Sequence, residues 1–363
     1  MGTRVLIMAG GTGGHIFPAL AVAEALRGEG VDVRWLGTRR GMEARIVAEA
    51  GIPMDVIAIS GLRGKGLAGW LSFPLRMAYA LMQSLAIIMR YRPLLVLGMG
   101  GFVSGPGAVV AWLLRIPLLI HEQNAIAGLT NRVLSRLATR TLLGFPGALA
   151  GRKHMVVTGN PVRASIAGLP PPETRMEDRH GPLRLLVLGG SQGALAFNEA
   201  VPAAMARLPV ERRPAIRHQA GERHLATARR QYEELGLAGE VTAFIEDMGD
   251  ALGWADIVVC RAGALTIAEL TAAGVASILV PYPFAVDDHQ THNARFLSDA
   301  GAAVLLPQSE TLAAELQAWF EELLGDEAAA RRRLLDMACA ARRLARPDAA
   351  RTVAHICMEV AHG

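Results

Sequence analysis

The chain has 363 residues, 52% of them hydrophobic and 19% charged, with a mean hydropathy of +0.29. That length and apolar content exclude a disordered segment and a small disulfide scaffold, and they supply core for about two domains. The net charge of +4 conceals an uneven split: residues 1–160 hold 17 Lys+Arg against 7 Asp+Glu, a net +10, and residues 161–363 hold 20 against 26, a net −6.

From the N-terminus, MGTRVLIMAGG has too short an apolar run to resemble a signal peptide. Cys260, Cys339 and Cys357 are odd in number, far apart and free of CxxC or zinc-type spacing. Both features predict a cytoplasmic, reducing compartment. Buried-strand runs then alternate with helical patterns: RVLIMA, VDVRWLG, MDVIAI, LLVLGM and PLLIHEQN, followed by LRLLVLGG, EVTAFIEDM, DIVVCRAG, ASILVPYP and AAVLLP. Such alternation predicts parallel, doubly wound α/β sheets. Arg4–Gly14 aligns with Arg184–Ala194 at an offset of 180 residues, so each half opens with a strand, a glycine loop and a helix. The expectation is two Rossmann-like domains with parallel sheets facing across a cleft: residues 1–161, residues 162–346, and a terminal helix at 347–363 that packs back on the first.

No acidic residue lies between Asp55 and Glu122, whereas Lys65, Arg76 and other basic residues alternate with Trp70, Phe73, Trp112 and further aromatics. This predicts contact with a polyanion or an anionic membrane surface, an ordinary solvated face being the alternative. Residues 93–114 lack charge over a bilayer-spanning length, but five glycines and Pro106 divide them into strand, loop and helix. Residues 67–89 contain Pro74, Arg76 and Gln83 and suit a helix lying on a membrane rather than crossing it.

Three glycine loops end predicted strands: Gly10–Gly14, Gly98–Gly105 with Gly101 and Ser104, and Gly189–Gly193 with Ser191 and Gln192. Backbone amides there, backed by helix N-termini, suit a phosphate or sugar; a bare tight turn is the alternative for each. The first loop lacks the third glycine and the strand-end acid of a dinucleotide fingerprint and the Gly-Lys-Ser/Thr of a P-loop, which argues against dehydrogenases and NTPases. His15 stands where a helix dipole disfavours its protonation, as suits a general base, a structural histidine being the alternative. Glu269, two turns into a helix after Cys260-Arg261-Ala262-Gly263, fits a pair of ribose hydroxyls, an ordinary exposed helix glutamate being the alternative. In Asp287–Asn293, His289 and Gln290 fit polar sugar recognition better than a metal, since no other cluster completes a metal site.

Together, GGTGGHIFPALAVA, ISGLRGKG, GMGGFVSGPG, HEQNAIAGLTNR, GNPVR, GGSQGA, FIEDM, CRAGALTIAEL and DDHQTHNA resemble the MurG family of peptidoglycan glycosyltransferases over essentially the whole chain. The resemblance implies a GT-B glycosyltransferase fold and transfer of N-acetylglucosamine from UDP-N-acetylglucosamine to undecaprenyl-linked lipid I, making lipid II. It also implies peripheral attachment at the cytoplasmic face of the inner membrane, with other cell-wall or division proteins as further partners and no nucleic acid.

Carried over by position, the donor site takes Ser191, Gln192 and Arg163 near the diphosphate. Ile245, Met248, Arg261, Ala264 and Leu265 lie around uracil, and Thr266, Ile267 and Ala268 lead to Glu269 on the ribose. His289 and Gln290 meet the sugar, and Thr12, Gly13, Gly14 and Asn124 line the donor from the first domain. His15 is the base or acceptor-positioning residue; Gly101, Ser104, His121 and Glu122 lie on the acceptor side, and Lys65, Trp70, Phe73, Arg76 and Trp112 on the membrane side. Neither metal nor cofactor is expected, no Asp-x-Asp motif being present. A UDP-N-acetylglucosamine 2-epimerase of similar architecture and a non-catalytic nucleotide-sugar-binding membrane scaffold remain the alternatives.

Overall fold

The computed structural model describes residues 2–59, 67–149, 151, 154–190 and 193–363, without the side chains of 67–71 and 286. Its strands are β1 (Arg4–Met8), β2 (Asp32–Gly37), β3 (Met54–Val56), β4 (Leu95–Gly98), β5 (Leu118–Glu122), β6 (Arg140–Leu143), β7 (Met155–Val157), β8 (Arg184–Leu188), β9 (Ala215–Gln219), β10 (Glu240–Thr242), β11 (Ile257–Cys260), β12 (Ala276–Leu279) and β13 (Ala303–Leu305). The helices are α1 (Gly13–Gly28), α2 (Glu43–Glu49), α3 (Leu67–Tyr91), α4 (Ser104–Leu113), α5 (Leu129–Leu134), α6 (Ala164–Ala167), α7 (Pro172–Met176), α8 (Leu195–Ala206), α9 (Leu225–Glu234), α10 (Met248–Trp254), α11 (Ala264–Ala273), α12 (His289–Ser298), α13 (Leu312–Leu323), α14 (Glu327–Arg343) and α15 (Ala349–His362).

The chain divides into unit 1, Met1–Arg163 with Arg346–Gly363, and unit 2, Ala164–Ala345. Unit 1 carries a sheet in the order β3-β2-β1-β4-β5-β6-β7, unit 2 one in the order β10-β9-β8-β11-β12-β13, and every pairing is parallel. Both orders reverse direction beside the first strand of the unit, at β1/β4 and at β8/β11. A doubly wound sheet binds ligands outside the carboxyl ends of its strands at that reversal.

Because a parallel sheet is covered on both faces, its strands read as continuous apolar runs. In unit 1 one face buries Val5, Ile7, Leu95 and Leu97 under α1 and α15, whose Val353, Ala354, Ile356 and Cys357 join the same core. The opposite face buries Leu6, Met8, Val96 and Ile120 under α3 and α4. In unit 2, Leu185, Val187, Val259 and Ile278 pack against Phe197, Leu316, Phe320 and Leu334.

Three strands escape the apolar-run reading: β6 (RTLL), β7 (MVV) and β9 (AIRHQ). Strands so short or so polar carry little periodic signal, and register with longer neighbours holds them. The run EVTAFIEDM is a strand only over Glu240–Thr242 before it turns into a loop.

Candidate active site

In unit 1 the loops after β1 and β4 flank the reversal. Three buried polar groups shape the first. The Trp35 indole donates to Ala9 O at 2.9 Å. Glu43, fully buried, accepts from Gly11 N (3.3 Å), Thr38 N (3.0 Å) and Thr38 Oγ1 (2.6 Å). From the β4 loop, Ser104 Oγ donates within reach of Met8 O and Gly100 O, both at 3.0 Å. Side chains are excluded where the loops cross: a Cβ on Gly101 (φ +82°) would lie 2.3 Å from Gly10 O, and one on Gly100 (φ +103°) 2.5 Å from His15 Nδ1.

Thr12 is the exposed N-cap residue of α1; Gly13, Gly14 and half-buried His15 form its first turn. His15 Nδ1 lies 3.2 Å from Gln123 Oε1, and Gln123 Nε2 donates to Met99 O at 2.7 Å. His121 and Glu122, expected beside the acceptor, are both interior. His121 Nε2 bonds Gly159 O at 3.0 Å, and burial lowers its pKa to about 4, so the ring is neutral at pH 7. Glu122 accepts from Asn124 N, Gly128 N and Asn131 Nδ2 at 2.9–3.1 Å. These two residues build the loop that carries Asn124, because a sheet interior leaves them no solvent face. Arg163 stacks over Phe17 in the first turns of α1, at 5.5 Å.

In unit 2 the corresponding loops follow β8 and β11. Gln219, at the end of β9, joins two of the expected donor segments, its Nε2 donating to Gly190 O (2.8 Å) and its Oε1 accepting from Ile245 N (3.0 Å). Ile245 and Met248 are half-buried around the start of α10. Arg261 donates to Val280 O (3.0 Å), Pro281 O (3.1 Å) and Gln308 Oε1 (2.6 Å), and lies over the Phe197 ring at 4.6 Å. Its guanidinium clamps the ends of β11 and β12 together, a role beyond the uracil contact expected of it.

Along α11, Ala264 and Ile267 are buried, while Leu265, Thr266 and Ala268 are half-buried; a helix offers a ligand one face only. Glu269 is 8% exposed. Its charge adds to the burial that raises the Cys260 thiol pKa. Half-buried His289 and Gln290 open α12 directly after Asp287 and Asp288, both in the left-handed region (φ +52° and +49°). Gln290 Oε1 accepts from Tyr282 N at 2.9 Å.

On the expected membrane side, Phe73 is half-buried and Arg76 exposed, and Trp112 is 49% exposed. Lys65, Ser191 and Gln192, and the Trp70 side chain, lie outside the described residues. Among the described residues no group of three or more His, Cys, Asp or Glu is placed to hold a metal ion. Sequence reasoning passed over Glu43, Gln123 and Gln219. A lone glutamate or glutamine has no periodic signature, and only the partners it reaches across strands reveal its part.

Models of the glycosyltransferase family 28 N-terminal and C-terminal domains match residues 5–143 and 184–352. Curated UDP-N-acetylglucosamine–N-acetylmuramyl-(pentapeptide) pyrophosphoryl-undecaprenol N-acetylglucosamine transferases are similar along almost their whole length. The protein of Alkalilimnicola ehrlichii is 60% identical, covering 98% of this chain and 99% of its own; that of Marinobacter nauticus is 52% identical, covering 99% and 98%. The crystal structure of Acinetobacter baumannii MurG superposes with a TM-score of 0.84 at 40% identity, covering 98% of this chain and 99% of that one. Two reversal points lined by glycine loops, a domain match in each unit and this end-to-end identity lead to one conclusion: the chain belongs to glycosyltransferase family 28, and within it to the MurG transferases.

Proposed function

We propose that the protein transfers N-acetylglucosamine from UDP-N-acetylglucosamine to the 4-hydroxyl of the N-acetylmuramyl unit of lipid I, with inversion at the anomeric carbon, forming lipid II. The observation that carries this reading is the 60% identity, from end to end, to a curated transferase of that name. In the step itself the acceptor hydroxyl gives its proton to His15. Its oxygen bonds to the anomeric carbon, and the bond from that carbon to the diphosphate breaks, UDP leaving with the electron pair. Negative charge develops on the departing diphosphate, where glycine-loop amides at a helix N-terminus and an arginine stabilise it. We assign Glu269 to the ribose hydroxyls, Gln290 and His289 to the sugar, Ile245, Met248 and Leu265 to the base, and Ser191, Gln192 and Arg163 to the diphosphate.

We further assign the protein to the cytoplasmic face of the inner membrane as a peripheral enzyme. The stretch Ser72–Tyr91 of α3 is long and apolar enough to cross a bilayer, with 22% of it buried. Ala80, Ser84, Ile87, Ile88 and Tyr91 along that helix are interior to unit 1, which supports a helix resting on the lipid over one that leaves the domain to span it.

Labelled UDP-N-acetylglucosamine supplied with and without a lipid I analogue tests the reading. UDP release coupled to a labelled lipid product is the expected result. Acceptor-independent formation of the 2-epimer, or donor binding without turnover in the presence of the acceptor, would overturn it.

A further inference from the structure

Among the described polar residues of unit 1, Gln123 joins three loops at once. It is 1% exposed, immediately after β5. Its backbone oxygen accepts from Asn160 Nδ2 at 2.9 Å, its Nε2 donates to Met99 O at 2.7 Å, and its Oε1 lies 3.2 Å from His15 Nδ1. The first two contacts anchor it from the loops after β7 and β4, and the third reaches the first turn of α1. The chemistry fixes which way round the amide stands. Met99 O can only accept, so the NH₂ group must face it; a flipped amide would set two oxygens 2.7 Å apart. The oxygen is thereby left for His15, and since an amide oxygen also only accepts, Nδ1 must be the donor.

We propose that Gln123 is a positioning residue that holds neutral His15 as the Nδ1–H tautomer, so that the lone pair resides on Nε2. The inference rests on the reading of His15 as the base and deepens it: a base with its proton on the wrong nitrogen cannot accept another there. In water a neutral histidine side chain favours the opposite, Nε2–H form, so the protein must supply this preference, and the ring nitrogen that carries the proton is set by the partner of the other. The loop after β4 reinforces the geometry, because Gly100 approaches the ring closely enough that no Cβ fits between them.

Nitrogen-15 NMR of the labelled full-length protein reads the tautomer directly, with the His15 signals identified by their loss in His15→Gln. Gln123→Met keeps the side-chain length but removes the acceptor; Gln123→Glu keeps an acceptor for Nδ1–H on one carboxyl oxygen, provided that the other is protonated and donates to Met99 O in place of Nε2. The wild type should show the Nδ1–H pattern. Gln123→Met should move to Nε2–H, with kcat lowered roughly 10-fold or more and KM for the donor within about twofold. Gln123→Glu should retain Nδ1–H and turn over faster than Gln123→Met. An Nε2–H pattern in the wild type, or a folded Gln123→Met protein with an unchanged tautomer, overturns the proposal; the wild-type spectrum decides even if that variant does not fold. A tautomer that switches while kcat stays constant upholds the part played by Gln123 and overturns the reading of His15 as the base.

Discussion

Two carboxylates, Glu43 and Glu269, are both almost removed from solvent, yet they stand in different settings. Glu43 accepts two backbone amides and a hydroxyl, so its charge is satisfied within the loop it shapes. Removing it by Glu43→Ala leaves those buried donors without an acceptor, and we expect a loss of about 3 kcal/mol, read as a lower urea midpoint. Glu269 instead stands on α11 just beyond the loop at the reversal of unit 2. Glu269→Ala should raise KM for UDP-N-acetylglucosamine roughly tenfold or more, while kcat at saturating donor changes far less. His15→Ala should show the reverse, with kcat falling roughly 10²–10⁴-fold and KM for the donor little altered. Steady-state kinetics on both variants separates the roles, and a His15 variant with normal kcat would remove it from the base position.

At the scale of elements, α3 is apolar on two sides. Ala80, Ser84, Ile87, Ile88 and Tyr91 recur at helical spacing on the face toward the sheet. Leu75, Tyr79, Met82 and Met89 form a second stripe, each more than half exposed. A soluble domain rarely leaves such a row open unless something covers it, and nearby Trp112 and Leu113 at the end of α4 are exposed as well. We expect Leu75→Glu combined with Met82→Glu to reduce sedimentation with anionic liposomes several-fold, while turnover on a soluble acceptor analogue persists. Added salt should weaken the wild-type association too, because Arg76 and the acid-free stretch around it contribute charge. Binding unaffected by both the substitutions and salt would place the lipid contact elsewhere. In the loops after β1 and β4, Gly101→Ala should cost stability and turnover together, since its Cβ would strike the Gly10 carbonyl.

For the whole molecule, stability should fall on acidification. Burial lowers the pKa of His121 and of His218 to about 4 in the folded chain, against 6.5 for the free side chain. The unfolded state therefore takes up protons first. Stability from both groups is complete above pH 6.5 and is lost as pH falls through 4, at about 1.4 kcal/mol per pKa unit for each. Urea midpoints measured from pH 8 to pH 4 should decline below pH 6.5; a flat profile would contradict the burial of these rings. Deleting residues 347–363 should unfold unit 1, since Val353, Ala354, Ile356 and Cys357 complete its core.

The sequence by itself determined the α/β class, the repeated strand–glycine loop–helix opening of each half and the family motifs, because apolar runs and glycine loops are local signals. Only the tertiary structure decided that His121 and Glu122 turn inward, and that His15 meets Gln123 from 108 residues away. The physical reason is strand order. β1 is paired with β4, and β4 with β5, so the ends of strands remote in sequence come together, and no local periodicity encodes which polar side chains then meet.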